Sequence, residues 1–216
     1  MTSHLQKADE NQRLPCNING CPSYRRGVSR FCSSHTKRQS RHGDPTGHPI
    51  KRTDNREAFN QAEHFLSCNW KHPAVTLLEE SIEMWLMKAG EGYDVPGNKL
   101  VANLFVQQVK PRQVLSNVLA ISLIRDNGRY PQLGSPRGLE MAIGNTVLSL
   151  APRRRKANGR YDSPTPSLIR EIGAHLSELL GDFTAKAIIT FKQEEERQRQ
   201  LARSVRCESF KIYKEE

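Results

Sequence analysis

Cys16, Cys21, Cys32 and His35 stand in the spacing C-x4-C-x10-C-x2-H. Zinc prefers four soft or borderline donors in a tetrahedron, and structural sites fill all four positions with Cys or His. Two close pairs separated by about ten residues supply such a set, because each pair fits one tight turn and the chain between them has room for a short hairpin. The expected cofactor is one structural zinc ion, with no coordination position left open for a metal-bound water. His42 and His48 are further candidates for the fourth position, but His35 has the better spacing. The segment is too polar to hide three thiols in an apolar core. Folding is therefore expected to be coupled to metal binding, which contributes on the order of 10 kcal/mol at structural zinc sites. The five cysteines are odd in number and follow an N-terminus without an apolar stretch, which argues against a disulfide framework.

Local signals say how these donors are positioned. Asn19-Gly20 precedes Cys21 as a turn signal, since both residues tolerate positive φ. Ser33 can cap a helix beginning beside Cys32, and Gly43 can end it. His35 then projects from the first helical turn, and the layout is that of a small treble-clef-like or zinc-ribbon-like finger. The same helix displays Lys37, Arg38 and Arg41, interleaved with Gln39, Ser40 and His42. Arg and Gln read guanine and adenine edges in a major groove, and they equally grip phosphates without reading sequence.

Charge is distributed in keeping with that helix. The chain has 216 residues and a formal net charge of +10. Residues 1–54 carry 10 Lys+Arg against 4 Asp+Glu, residues 55–150 carry 9 of each, and residues 151–216 carry 14 against 10. A neutral middle with basic ends is an electrostatic footprint for a polyanion, most often nucleic acid. Arg25, Arg26, Arg30, Lys37, Arg38, Arg41, Lys51 and Arg52 form one cluster, opposed only by Asp44. Arg153, Arg154, Arg155 and Lys156 form a second, with Arg160 just beyond. Aromatics near these runs are few, which suits phosphate contact better than base stacking.

From Cys16 through Gly20-Cys21, Arg26-Gly27, Phe31-Cys32-Ser33-Ser34-His35 and Arg38 to Arg41-His42-Gly43-Asp44-Pro45, the chain resembles a known kind of zinc-finger segment. Such segments occur in uncharacterised phage and mobile-element proteins and at the front of some HNH-type homing endonucleases. The resemblance covers residues 14–50 and implies a finger that touches DNA. It does not carry over a nuclease centre, which needs a general-base histidine beside a metal-binding pair. His42, His48, His64, His72 and His175 do not stand in that arrangement.

The remainder reads as mainly α. Pro73, Pro111, Pro136 and Pro166 each precede an apolar stripe of helical period, as expected for proline at a first helical position. Thr53-Asp54 followed by Glu57 has the form of a capping box. About seven helices are expected to pack as one all-α domain. The segments at 98–107 and 111–125 have helix-turn-helix spacing, but Val114, Leu115, Val118, Leu119, Ile121, Leu123 and Ile124 suit a central core helix better. Cys68, Trp70, Trp85 and Cys207 are assigned to packing or chance. The expected organisation is a flexible N-terminus over 1–13, a zinc finger with its basic helix over 14–52, an all-α domain over 53–190 with a basic loop at 151–163, and a charged helical extension and tail over 191–216.

The function expected from these features is non-enzymatic nucleic-acid binding, to double-stranded DNA rather than RNA. The finger and the loop at 151–163 would make the contacts. One alternative is a protein-interaction adaptor using the finger and the C-terminal helix, and another is an HNH-like metal-dependent nuclease. No run of 18 apolar residues is present, so no membrane is implicated and a cytoplasmic location is expected.

Overall fold

A computed structural model describes residues 4–152 and 164–212, with side chains over 6–152 and 164–201. The described residues are mainly helical. In chain order the α-helices are α1 (His4–Gln12), α2 (Ser33–His42), α3 (Arg56–Cys68), α4 (Pro73–Gly90), α5 (Asn98–Val106), α6 (Pro111–Asp126), α7 (Pro136–Leu148) and α8 (Pro166–Ile212). Two 3-10 turns, Thr53–Asn55 and Pro131–Gly134, lead into α3 and α7. The body of the molecule is thus built from α3 to α8, with α2 packed against one side of α7.

The four proline starts hold. Pro73, Pro111, Pro136 and Pro166 are the first residues of α4, α6, α7 and α8, where a missing N–H costs nothing and φ is already helical. The capping box does not form. Thr53 and Asp54 lie in the 3-10 turn, the Thr53 hydroxyl donates to Asp54 Oδ1, and Asn55 stands at the start of α3. Asn55 is held there by its own side chain, which donates to Lys51 O and to Tyr130 Oη.

Helix α6 is the centre of the core. Every residue from Val114 to Ile124 is buried, so no face is free to enter a DNA groove, and the helix-turn-helix option is closed. Its wall is completed by Phe59 and Leu66 of α3, Ile82 and Trp85 of α4, Leu104 of α5, Ile143 of α7, and Ile172 and Leu176 of α8. Burying each large aliphatic or aromatic side chain stabilises the fold by roughly 1.5–3 kcal/mol before entropy is set against it. The partly buried Arg112–Glu79 ion pair, at 3.1 Å, closes one end of this core, and Arg112 also donates to Leu66 O at 2.8 Å.

Helices α7 and α8 approach closely because glycines face the contact. A Cβ on Gly144 would collide with the Ile169 carbonyl, and one on Gly173 would collide with the Glu140 carbonyl. The Arg170–Glu140 ion pair at 2.9 Å lies beside this crossing. Helix α8 has 47 residues, about 70 Å at 1.5 Å per residue, and it runs through the expected domain boundary at 190 without a break. Phe191 packs on Phe65 with ring centroids 5.0 Å apart, and Lys192 pairs with Asp126 at 2.7 Å. Beyond these anchors the helix carries i,i+3 and i,i+4 pairs, Arg197–Glu194 and Arg199–Glu195. No helix among the described residues is long and apolar enough to cross a membrane.

Candidate metal centre

Two backbone turns and one helix start bring the four donors together. Gly20 adopts φ 75°, and Cys21 N–H donates to Ile18 O at 3.0 Å, so the Asn19-Gly20 turn forms as the residue types predict. Short antiparallel links flank it: Cys16 N–H donates to Ser23 O and Arg25 N–H to Leu14 O, both at 3.0 Å. A second turn, closed by Ser29 N–H to Arg26 O at 2.9 Å, carries the chain to α2.

Helix α2 begins one residue earlier than a Ser33 cap would have it. Cys32 takes the N-cap position with extended backbone and Ser33 is the first helical residue. This is how C-x2-H brings its two donors together: N-cap and third-position side chains stand side by side at a helix start, as they do in a capping box. Cys32 Sγ and His35 Nδ1 are 3.3 Å apart. The helix ends as expected on Gly43, at φ 78°, with Gly43 N–H donating to Gln39 O.

Cys16 Sγ also lies 3.3 Å from His35 Nδ1, and Cys21 Sγ lies 3.9 Å from Cys32 Sγ. All four donor atoms fall within 4.8 Å of one another, and the group can hold a metal ion. A tetrahedral ion with sulfur at about 2.3 Å and nitrogen at about 2.0 Å places neighbouring donors about 3.6–3.8 Å apart, close to the separations here. Cys16 and Cys32 are buried, while Cys21 and His35 are half-buried. Among the described residues no other group of three or more His, Cys, Asp and Glu side chains is arranged this way.

The backbone prepares one thiol for ionisation. Burial raises the Cys16 pKa, but hydrogen bonds from the Cys32 and Ile18 backbone, with smaller contributions from His35 and Cys21, outweigh it and bring it to about 6. The Cys32 N–H to Cys16 Sγ bond is 3.3 Å. Cys21 behaves oppositely. The Ser23 backbone favours its thiolate, yet burial and the neighbouring sulfurs of Cys16 and Cys32 together raise its pKa. Crowded thiolates repel one another until a cation is shared among them.

Helix α1 braces this loop, where the sequence suggests only a flexible lead-in. Asn11 Nδ2 donates to Gly27 O at 2.6 Å and to Ser29 O at 2.7 Å, and Asn11 Oδ1 accepts from Arg25 at 3.2 Å. Arg25 donates as well to Pro15 O, so it is engaged in the fold of the loop itself. Arg26 donates to the Ser33 hydroxyl at 3.2 Å. Arg30, Lys37, Arg38 and Arg41 are exposed and make no ion pair with a described residue. Arg153, Arg154, Arg155, Lys156 and Arg160 lie outside the described residues.

The junction between α2 and the body has no signal in the sequence. Asn145 Nδ2 donates to Arg41 O at 3.2 Å and Gln132 Nε2 donates to His48 O at 2.9 Å. His42 and His48 stay outside the metal cluster and line a cavity between α2 and α7 instead. The pKa of His42 is lowered, first by burial and then by the nearby charges of Arg41, His48 and Arg38. Elsewhere, Trp85 is buried against His175 with ring centroids 5.4 Å apart, and Cys68 is exposed beside His64, with Sγ and Nε2 at 3.5 Å. No protein-family model, no curated protein and no solved structure matches this chain.

Proposed function

We propose that the Cys16, Cys21, Cys32 and His35 cluster holds one structural zinc ion, and that the finger so organised lays α2 against the phosphate backbone of double-stranded DNA. The carrying observation is that a four-donor cluster fixes the start of a helix whose Lys37, Arg38 and Arg41 are exposed and free of carboxylate partners among the described residues. Zinc suits the site because three sulfurs and an imidazole match its preferred donors and fill its tetrahedron. The finger would be of the phage or mobile-element type that the sequence resembles, with the ion in a structural role. Arg30, and the cations from Arg153 to Arg160, would add phosphate contacts.

Fluorescence anisotropy of a labelled duplex with the zinc-loaded chain, at three salt concentrations, tests this reading. Each neutralised phosphate is expected to steepen the plot of log affinity against log salt by about 0.9. Alanine at Lys37, Arg38 or Arg41 should each reduce that slope by about 1. Absence of duplex binding at low salt would refute it.

A protein-adaptor role is favoured by a different surface. Leu77, Met84 and Met87 of α4 are 63%, 51% and 41% exposed on one side of the helix, an apolar stripe that protein partners commonly cover. A stoichiometric partner captured in the presence of nuclease, and lost on Met84→Glu, would support that role.

A further inference from the structure

The cations of α2 do not all face the same way. Lys37 and Arg41, one turn apart, line a cavity of about 670 Å³ formed where α2 meets α7 and the start of α8. His42 and His48 line it too, and no Asp or Glu among the described residues does. A second cavity of about 990 Å³ adjoins it, sharing Asn145, Ser149 and Pro164, with Lys99 of α5 as its only charged lining residue among those described. Together they form a groove whose α7 lining runs from Gly138 to Ser149, about 16 Å at 1.5 Å per residue.

Its charge pattern differs from that of the cleft beside α3 and α6. That cleft, of about 310 Å³, has Asp54, Glu57, Asp126 and Glu195 set against Arg56, Arg129 and Lys192, so its charges compensate internally. The α7 groove has cations at both ends and no compensating carboxylate among the described residues. Low-dielectric walls bearing one sign of charge focus the field and draw in ligands of the opposite sign. Burial, and after it the nearby charges of Arg41, His48 and Arg38, lowers the pKa of His42.

We infer that this groove seats the phosphate backbone of one nucleic-acid strand across the junction of finger and helical body, with Lys37 and Arg41 at one end and Lys99 at the other. The inference rests on the nucleic-acid reading above and adds the body as a binding surface. A groove of this length has room for a few successive phosphates of one strand. An isolated anion would occupy only one end of it. Asn145 of α7 ties the finger to the body through Arg41 O, so the end of the groove lined by Lys37 and Arg41 exists only while the finger is docked.

The test is duplex anisotropy with the full zinc-loaded chain carrying Lys99→Ala or Ser149→Glu, with Lys88→Ala on α4 as the control. Lys99→Ala should weaken binding about eightfold at 0.1 M salt, the value of one released counterion, and lower the salt slope by about 1. Ser149→Glu places a carboxylate where the two cavities join and should weaken binding at least as much, whereas Lys88→Ala should bind as the parent does. Ser149 is exposed at the end of α7, and thermal melting checks that the variant is folded. If Ser149→Glu does not fold, the exposed Lys99 carries the test alone.

Parental binding by both groove variants, alongside weakened binding by Lys37→Ala and Arg41→Ala, would overturn the groove and leave DNA contact by α2 standing. Loss of duplex binding in the parent chain would overturn both. Displacement of the duplex by micromolar mononucleotide would overturn the strand seat in favour of a site for a single phosphate ester.

Discussion

Gly43, the residue that ends α2, lies directly against Gly138 in the first turn of α7, with no side chain between the two backbones. A Cβ on Gly43 would stand 2.8 Å from Gly138 Cα and 2.8 Å from its nitrogen. Gly138 is itself closed in from the other side, since a Cβ there would strike the Gln132 carbonyl. The end of α2 and the helical body thus meet backbone to backbone, and the Asn145 and Gln132 hydrogen bonds flank that contact.

Gly43→Ala combines two penalties at this contact. A left-handed residue with a Cβ costs about 1–2 kcal/mol, and the collision with Gly138 adds to it. The expected loss is about 2–4 kcal/mol, or a fall in melting temperature of about 5–10 °C for a chain of this length. Gly43→Asn tolerates the left-handed backbone but keeps the collision. Equal destabilisation of the two variants would identify the close approach as the dominant cause, and an unchanged melting temperature in both would refute the contact.

Removing the metal should unfold the finger and spare the body. The segment 14–52 has few buried apolar side chains of its own, whereas α3 to α8 share a continuous core. Treatment with a strong chelator, or Cys32→Ser, is expected to make the finger sensitive to protease while a fragment containing α3 to α8 survives. Mass spectrometry of the digest reads this out. A finger that stays resistant after chelation would contradict coupled folding and binding.

Two glycines of α8 should respond in opposite directions to the same change. Gly173→Ala forces a Cβ into the Glu140 carbonyl and should cost about 3 kcal/mol or more, because backbone cannot yield as a side-chain tip can. A Cβ on Gly181, in the same helix, would meet nothing within 4 Å. Gly181→Ala should therefore stabilise by about 0.5–1 kcal/mol, from helix propensity and reduced freedom of the unfolded chain. Denaturant unfolding of the pair measures both.

Stability should decline on mild acidification. Burial lowers the pKa of His175 below 6.5, opposed only in part by Glu178, and burial with nearby cations lowers that of His42. The unfolded chain then takes up protons first, so stability is full above about pH 6.5 and falls as the pH drops from there through the folded-state pKa values. His175→Gln should flatten part of the fall in melting temperature between about pH 7 and pH 5, with the His42 share remaining. An identical pH profile in the variant would remove His175 as a cause.

The residue types alone located the Cys/His cluster and most of the helix starts, for a local reason. Cys16, Cys21, Cys32 and His35 are brought together by two turns and one helix start, all set within twenty residues, and proline at a first helical turn acts through its own ring. The core role of α6 was legible for a similar reason, since its apolar residues leave no polar face. Helix α1 was not, because it is largely polar and is held by the Asn11 bonds to Gly27 and Ser29 across a loop. Ser33 has the residue type of a cap, but the need to place the Cys32 sulfur beside His35 moves the helix start by one residue. Only the tertiary structure decided that Lys37 and Arg41 turn toward α7, that His42 and His48 join them, and that Lys99 lies at the far end of the same groove. Those residues are far apart in sequence, and their meeting depends on Gly43 and Gly138 closing to backbone contact, which no local pattern encodes.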